Sequence, residues 1–232
     1  MPRLPTTRTM KTTIGGRLND SRLRSVVAGL VAGAVVLADF WLVHRGEANL
    51  WGMRAAPPLL ALAAYLILAR GDRASVGLTL RPIQGLRYWS VATLVIGAAI
   101  GAIILLAGAS VWLLGLEVPS PSIRPEDAPE RLISMCVMAP VVEEATYRLG
   151  FCAGAVPVLK PWGTIALSGV VFGLLHILYG NPAPDNLVAG FFLGWAFFKS
   201  GSILVPVALH SLGNMCVLAL WLGNWYWRHG LG

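Results

Sequence analysis

Glu143 and Glu144 stand side by side in VVEEATYRLG, residues 141–150, between the nearly uncharged runs LISMCVMAP and FCAGAVPVL. An ionised carboxylate in hydrocarbon is costly unless it is paired or neutralised. Glu144 and Arg148 are four residues apart, so one helical face carries both, and an internal ion pair lets them enter an apolar phase together. Glu143 lies about 100° round the helix from its neighbour, and the place four residues on from it holds Tyr147, not a cation. Adjacent carboxylates repel. A carboxylate poised to take and return a proton is what general acid–base catalysis requires.

Two further polar sets follow. In FGLLH, Phe172 and His176 are four apart, so the aromatic ring can pack on the imidazole and position it. In HSLGN, His210 and Asn214 share a face in the same way. A single histidine in a helix is more often a hydrogen-bonded structural residue than a reactive one. Three such sets on three apolar segments are a different matter, because each is costly in lipid alone and they satisfy one another when gathered round a small wet cavity. These residue types suit hydrolysis through an activated water. They also suit zinc, with two glutamates and two histidines as ligands, or a proton relay, which could draw on Asp39 in the first apolar segment. For Asp39 a helix-packing hydrogen bond or a protonated acid is the simpler expectation.

The elements that must position these groups are membrane helices. Of the 232 residues, 56% are hydrophobic and 12% charged, and the mean hydropathy is +0.68. Soluble domains carry about 25% charged residues. A span needs about 20 apolar residues, and such stretches occur at about 25–43, 50–69, 89–116, 131–159, 163–179, 187–199 and 202–223, with a break at Lys160-Pro-Trp162. The expected architecture is an all-α polytopic transmembrane bundle of about seven spans, within a range of six to eight. Its expected divisions are a basic cytoplasmic arm (1–24), accessory helices (25–84), a catalytic core (85–223) and a short tail (224–232). The arm's basic residues, Arg3, Arg8, Lys11, Arg17, Arg22 and Arg24, act as topology signals and touch anionic headgroups. Together with the arginines of the 70–88 loop and the acids of 117–131, they place the N-terminus in the cytoplasm. The net charge of +7 is thereby accounted for without nucleic acid. Cys136, Cys152 and Cys216 have no metal-type spacing and are read as small buried hydrophobes. Gly29/Gly33, Gly97/Gly101, Gly169/Gly173 and Gly190/Gly194 are spaced for close helix packing.

EEATYR, FGLLH and HSLGN match E-E-x-x-x-R, F-x-x-x-H and H-x-x-x-N in order on successive apolar segments. The chain thus resembles the CPBP (ABI) family of intramembrane glutamic endopeptidases, which includes type II CAAX prenyl proteases and bacteriocin-processing or immunity proteins. The resemblance covers roughly residues 85–222. It implies an endopeptidase that hydrolyses a peptide bond in a membrane-anchored protein or peptide, with no cofactor. It further implies Glu143 as the base, His176 as a residue that holds or polarises the water, and His210 and Asn214 as the oxyanion site. Glu144 and Arg148 would brace this shell, with Glu144 sharing the catalytic proton, and Phe172 and Tyr147 would support it. The sequence has no HExxH and no serine–histidine or serine–lysine motif. A zinc-dependent protease built on the same residues and a non-catalytic immunity or scaffold protein are the alternatives. The short basic arm suits a prokaryotic inner membrane, where the substrate would be a propeptide, a leader or a C-terminal sorting tail.

Overall fold

The computed structural model describes residues 13–46, 51–115, 121–178, 180–181 and 185–230. It is helical, and the described residues form no strand beyond one isolated bridge between Leu78 and Ser202. The helices are α1 (Arg22–His44), α2 (Trp51–Leu68), α3 (Gly85–Leu113), α4 (Ala128–Ile133), α5 (Ala139–Glu144), α6 (Ala153–Leu178), α7 (Asp185–Ser200) and α8 (Leu204–His229). Two π-helical segments, Ser134–Met138 and Ala145–Cys152, join α4 to α5 and α5 to α6.

Among the described residues, helices lie in every apolar stretch read from the sequence. Among the described residues, four lengths are long and apolar enough to cross a membrane: Arg22–His44, Trp51–Leu68, Pro125–Leu178 and Leu204–His229. The expected number of about seven is therefore met only in part. Pro125–Leu178 is one apolar length of 54 residues with a kink at Lys160, and α7, at 16 residues, is short of the roughly 20 that a span requires. The side chains of α3 are described only in part, and that helix is not among the four. Lys160 interrupts α6 with φ 61° and ψ 165°. Pro161 disfavours a helical conformation in the residue before it, in keeping with the extended ψ, though not with the positive φ. The helix therefore breaks where Lys-Pro-Trp predicts. Conversely, α8 continues to His229, so much of the expected tail is helical.

The described residues form two compact units. One comprises residues 1–83 and 142–206, the other 84–141 and 207–232. Along α1, as far as Asp39, the usual soluble pattern is inverted. On α1 the inward face is Ser25, Ala28, Ala32, Val35 and Asp39, and the large residues Leu23, Leu30 and Leu37 are exposed. Small residues inside let helices approach closely, and large apolar ones outside suit lipid. α1 and α2 close on the π segment in this way. A Cβ on Gly150 would lie 2.8 Å from Val35 Cγ1, and one on Gly154 would lie 2.7 Å from the Ala28 carbonyl oxygen. The Tyr65 hydroxyl of α2 donates to the Gly150 carbonyl at 2.7 Å. Between α6 and α7, Gly190 sits where a Cβ would be 2.9 Å from Gly169 Cα. The glycine pairs at 169/173 and 190/194 thus have their packing role, while Gly33, Gly97 and Gly101 face open space.

The π segments have local causes. Pro140 has no N–H to donate to the Cys136 carbonyl, and its ring crowds that turn, which widens just before it. The Thr146 hydroxyl donates to the Val142 carbonyl at 2.9 Å and so competes for the acceptor that the Thr146 N–H would use in an α-helix. The wide turn begins at Ala145, directly after the paired glutamates.

Candidate active site

In the first unit, α5 ends on Glu143 and Glu144, both buried at 6% and 0% exposure. Glu144 Oε2 accepts from Arg148 Nε at 2.7 Å, with both side chains fully enclosed. The pair expected from the i,i+4 spacing therefore forms. Arg148 Nη1 donates to Ser168 Oγ at 2.6 Å, and its guanidinium carbon lies 5.7 Å from the Phe172 ring centre. Its Nη2 makes no hydrogen bond among the described residues. Arg148 thus ties the glutamate helix to α6. Ser168 was not singled out from the sequence, although Ser168, Phe172 and His176 fall at successive intervals of four and so line one face of α6.

Glu143 points to a different partner. Its Oε2 lies 3.9 Å from His176 Nε2. That is too long for a direct hydrogen bond and suits a bridged one. His176 Nδ1 lies 2.9 Å from the Phe172 carbonyl oxygen. A carbonyl only accepts, so Nδ1 carries a proton and, in the neutral ring, Nε2 presents its lone pair toward Glu143. The Phe172 and His176 rings lie 4.3 Å apart with a 36° tilt, so both the carbonyl and the ring of Phe172 orient the imidazole. Tyr147 packs edge-on against Phe172 at 5.0 Å.

Asp39 is the polar residue whose surroundings the sequence concealed. Arg54, in the first turn of α2, donates to both of its oxygens, Nε to Oδ1 at 2.8 Å and Nη2 to Oδ2 at 3.3 Å. The Tyr147 hydroxyl donates to Oδ2 at 3.1 Å. The expected packing hydrogen bond exists, but within a buried ion pair, so a protonated acid is not required. The one available signal was that spans one and two each carry a charge near the same end.

In the second unit, α8 carries His210 and Asn214 at intermediate exposure. Asn214 Nδ2 donates to the Met135 carbonyl, in the first π segment, at 2.6 Å. This bond sets which end of the amide faces Met135 and leaves Nδ2 with a second N–H. Cys136 and Cys152 are buried as expected. Cys216 is exposed on α8, because it lies two residues past Asn214 and so turns away from the Asn214 side of the helix.

Chemically, the first unit joins a buried carboxylate to an oriented imidazole beside a second carboxylate already neutralised by arginine. That is acid–base equipment inside apolar helices. Residues 127–216 match the family model described as type II CAAX prenyl endopeptidase Rce1-like, and this segment contains all three motifs. The match supports the CPBP/CAAX protease family, and with it a hydrolase acting on peptide bonds. No curated protein and no solved structure matches the chain. The apolar helices and the protease family together point to an integral membrane protein.

Proposed function

We propose that this protein is an intramembrane endopeptidase that cleaves a membrane-anchored protein or peptide with a water activated by Glu143. The observation that carries this reading is the 3.9 Å separation of Glu143 Oε2 and His176 Nε2, together with the Nδ1 bond that turns the Nε2 lone pair inward. A water about 2.8 Å from each atom would see them at roughly 90°, close to the angle between its own two O–H bonds. It can donate one proton to Glu143 and the other to His176, with an oxygen lone pair left for a carbonyl carbon.

The reaction then balances simply. Glu143 takes a proton from the water as its oxygen bonds the carbonyl carbon. The resemblance of HSLGN to the family motif assigns the resulting oxyanion to donors from His210 and Asn214. As the C–N bond breaks, the same proton passes from Glu143 to the leaving amine. Glu144 and Arg148 hold the end of α5 in place for this exchange. We place the chain in a prokaryotic inner membrane with about seven spans and a cytoplasmic N-terminus, and its substrates among propeptides, leaders and C-terminal sorting tails.

The test is cleavage of membrane-anchored peptide libraries by the purified wild type and Glu143→Ala, with and without chelator, read by mass spectrometry. Products from the wild type alone, indifferent to chelator, support the proposal. Activity lost to chelator and restored by zinc would replace the glutamate-activated water with a metal-bound one. A folded but silent wild type would favour an immunity or scaffold protein.

A further inference from the structure

The matched segment begins at residue 127, yet the imidazole of His176 is connected to charges that lie far before it. We propose that the Asp39–Arg54 pair of α1 and α2 is a positioning device for His176, acting through Tyr147 and Phe172. The inference rests on the reading of His176 given above.

Each link is a direct contact, and Asp39, Arg54, Tyr147 and Phe172 are all buried. Arg54 grips both oxygens of Asp39, and Asp39 and Arg54 are 1% and 2% exposed. A two-pronged grip fixes the carboxylate plane. Asp39 Oδ2 then receives the Tyr147 hydroxyl at 3.1 Å across 108 residues of sequence. The Tyr147 ring meets Phe172 edge-on, with centres 5.0 Å apart and planes 76° apart. Phe172 in turn fixes His176 twice, by its ring at 4.3 Å and by its carbonyl at 2.9 Å from Nδ1. Val36, one turn before Asp39, packs against the same Tyr147–Phe172–Leu175 cluster.

Charge neutralisation alone does not call for this arrangement. Asp39 and Arg54 satisfy one another across α1 and α2, and an apolar ring at position 147 would fill the same space. What the Tyr147 hydroxyl adds is a fixed direction for its ring, hence for Phe172 and the imidazole. The wide turn of Ala145–Cys152 raises the need for such an anchor, because a π segment departs from the spacing that ordinarily fixes side-chain direction.

The experiment observes His176 itself. The chain has four histidines, so ring-labelled protein in nanodiscs gives few signals, and a His176→Gln sample assigns the one of interest. Tyr147→Phe removes only the hydroxyl. A second variant, Asp39→Leu with Arg54→Met, removes the anchor without leaving a lone buried charge. Tyr65→Phe, which deletes another buried hydroxyl bound to the Gly150 carbonyl, is the control for general loosening. The proposal predicts that the His176 ring-nitrogen signals shift or split in the first two variants and stay in place in the control. Where a cleavable peptide is in hand, kcat falls by about tenfold or more with KM little changed, the signature of a misplaced reacting group. His176 signals unchanged in Tyr147→Phe and in the double variant would overturn the proposal, as would equal shifts in all three. Because the spectra need no substrate, a wild type that cleaves nothing refutes the protease reading without deciding this one.

Discussion

Replacing Glu144 by leucine leaves the Arg148 guanidinium without its carboxylate in a fully enclosed position. At an effective dielectric near 20, unit charges 2.7 Å apart attract by 332/(20 × 2.7), roughly 6 kcal/mol. Enclosing both ions costs several kcal/mol each, so the intact pair contributes far less than its attraction. Breaking it is different, because the remaining ion keeps its desolvation penalty. Glu144→Leu is therefore expected to cost about 3–5 kcal/mol. Arg148→Met is expected to cost a similar amount, about 3–5 kcal/mol, since Ser168 and the Phe172 face also lose a partner. The double variant should cost clearly less than the sum, with a coupling energy of about 2–3 kcal/mol. The assay is reversible unfolding in mixed micelles for wild type, both single variants and the double variant, taken as a cycle. Coupling below about 0.5 kcal/mol would mean that the pair is not formed in the folded protein, and the account of how α5 is held would fail.

Four other outcomes follow from the packing and the site. Gly154→Ala places a methyl against Tyr65 and the Ala28 carbonyl and should destabilise by about 1–3 kcal/mol. Gly33→Ala, which meets nothing within 4 Å, should be neutral or stabilising by up to about 1 kcal/mol in the same unfolding assay. Lys160→Gly relieves a left-handed conformation at φ 61° and should stabilise by about 1 kcal/mol; a loss of stability would show that the Lys160 side chain makes contacts that outweigh this strain. His176→Gln should lower the cleavage rate by about 10²–10⁴-fold while leaving the unfolding midpoint close to wild type, and equal losses of rate and stability would assign His176 a purely structural part.

Much of this molecule is legible from local pattern. Apolar stretches of spanning length locate the helices, because lipid forces every backbone group into internal hydrogen bonds. The four-residue spacings of Glu144/Arg148 and Phe172/His176 translate directly into contacts, since each pair lies within one short helical interval. Long-range partners are a different matter. Nothing periodic links Asp39 to Arg54, or either to Tyr147, and these contacts depend on how α1 and α2 pack on the π segment. Ser168 escaped notice because serine is common in membrane helices, and only the arginine opposite gives it a task. The π turns were hidden as well. Their causes, Pro140 and the Thr146 hydroxyl, are visible residues, but each competes with the helix by a small margin that only the assembled structure decides. Cys216 went the other way, exposed where an apolar neighbourhood suggested burial, because large apolar surface faces outward in a membrane helix.

The central claim is that Glu143 activates the water and Glu144 braces it. The most direct measurement is the single-turnover cleavage rate of one anchored peptide by wild type, Glu143→Gln and Glu144→Gln in nanodiscs, with chelator present and folding verified for each. The account predicts near-complete loss in Glu143→Gln with wild-type stability, and partial loss with lowered stability in Glu144→Gln. A Glu143→Gln protein that cleaves at the wild-type rate would contradict it.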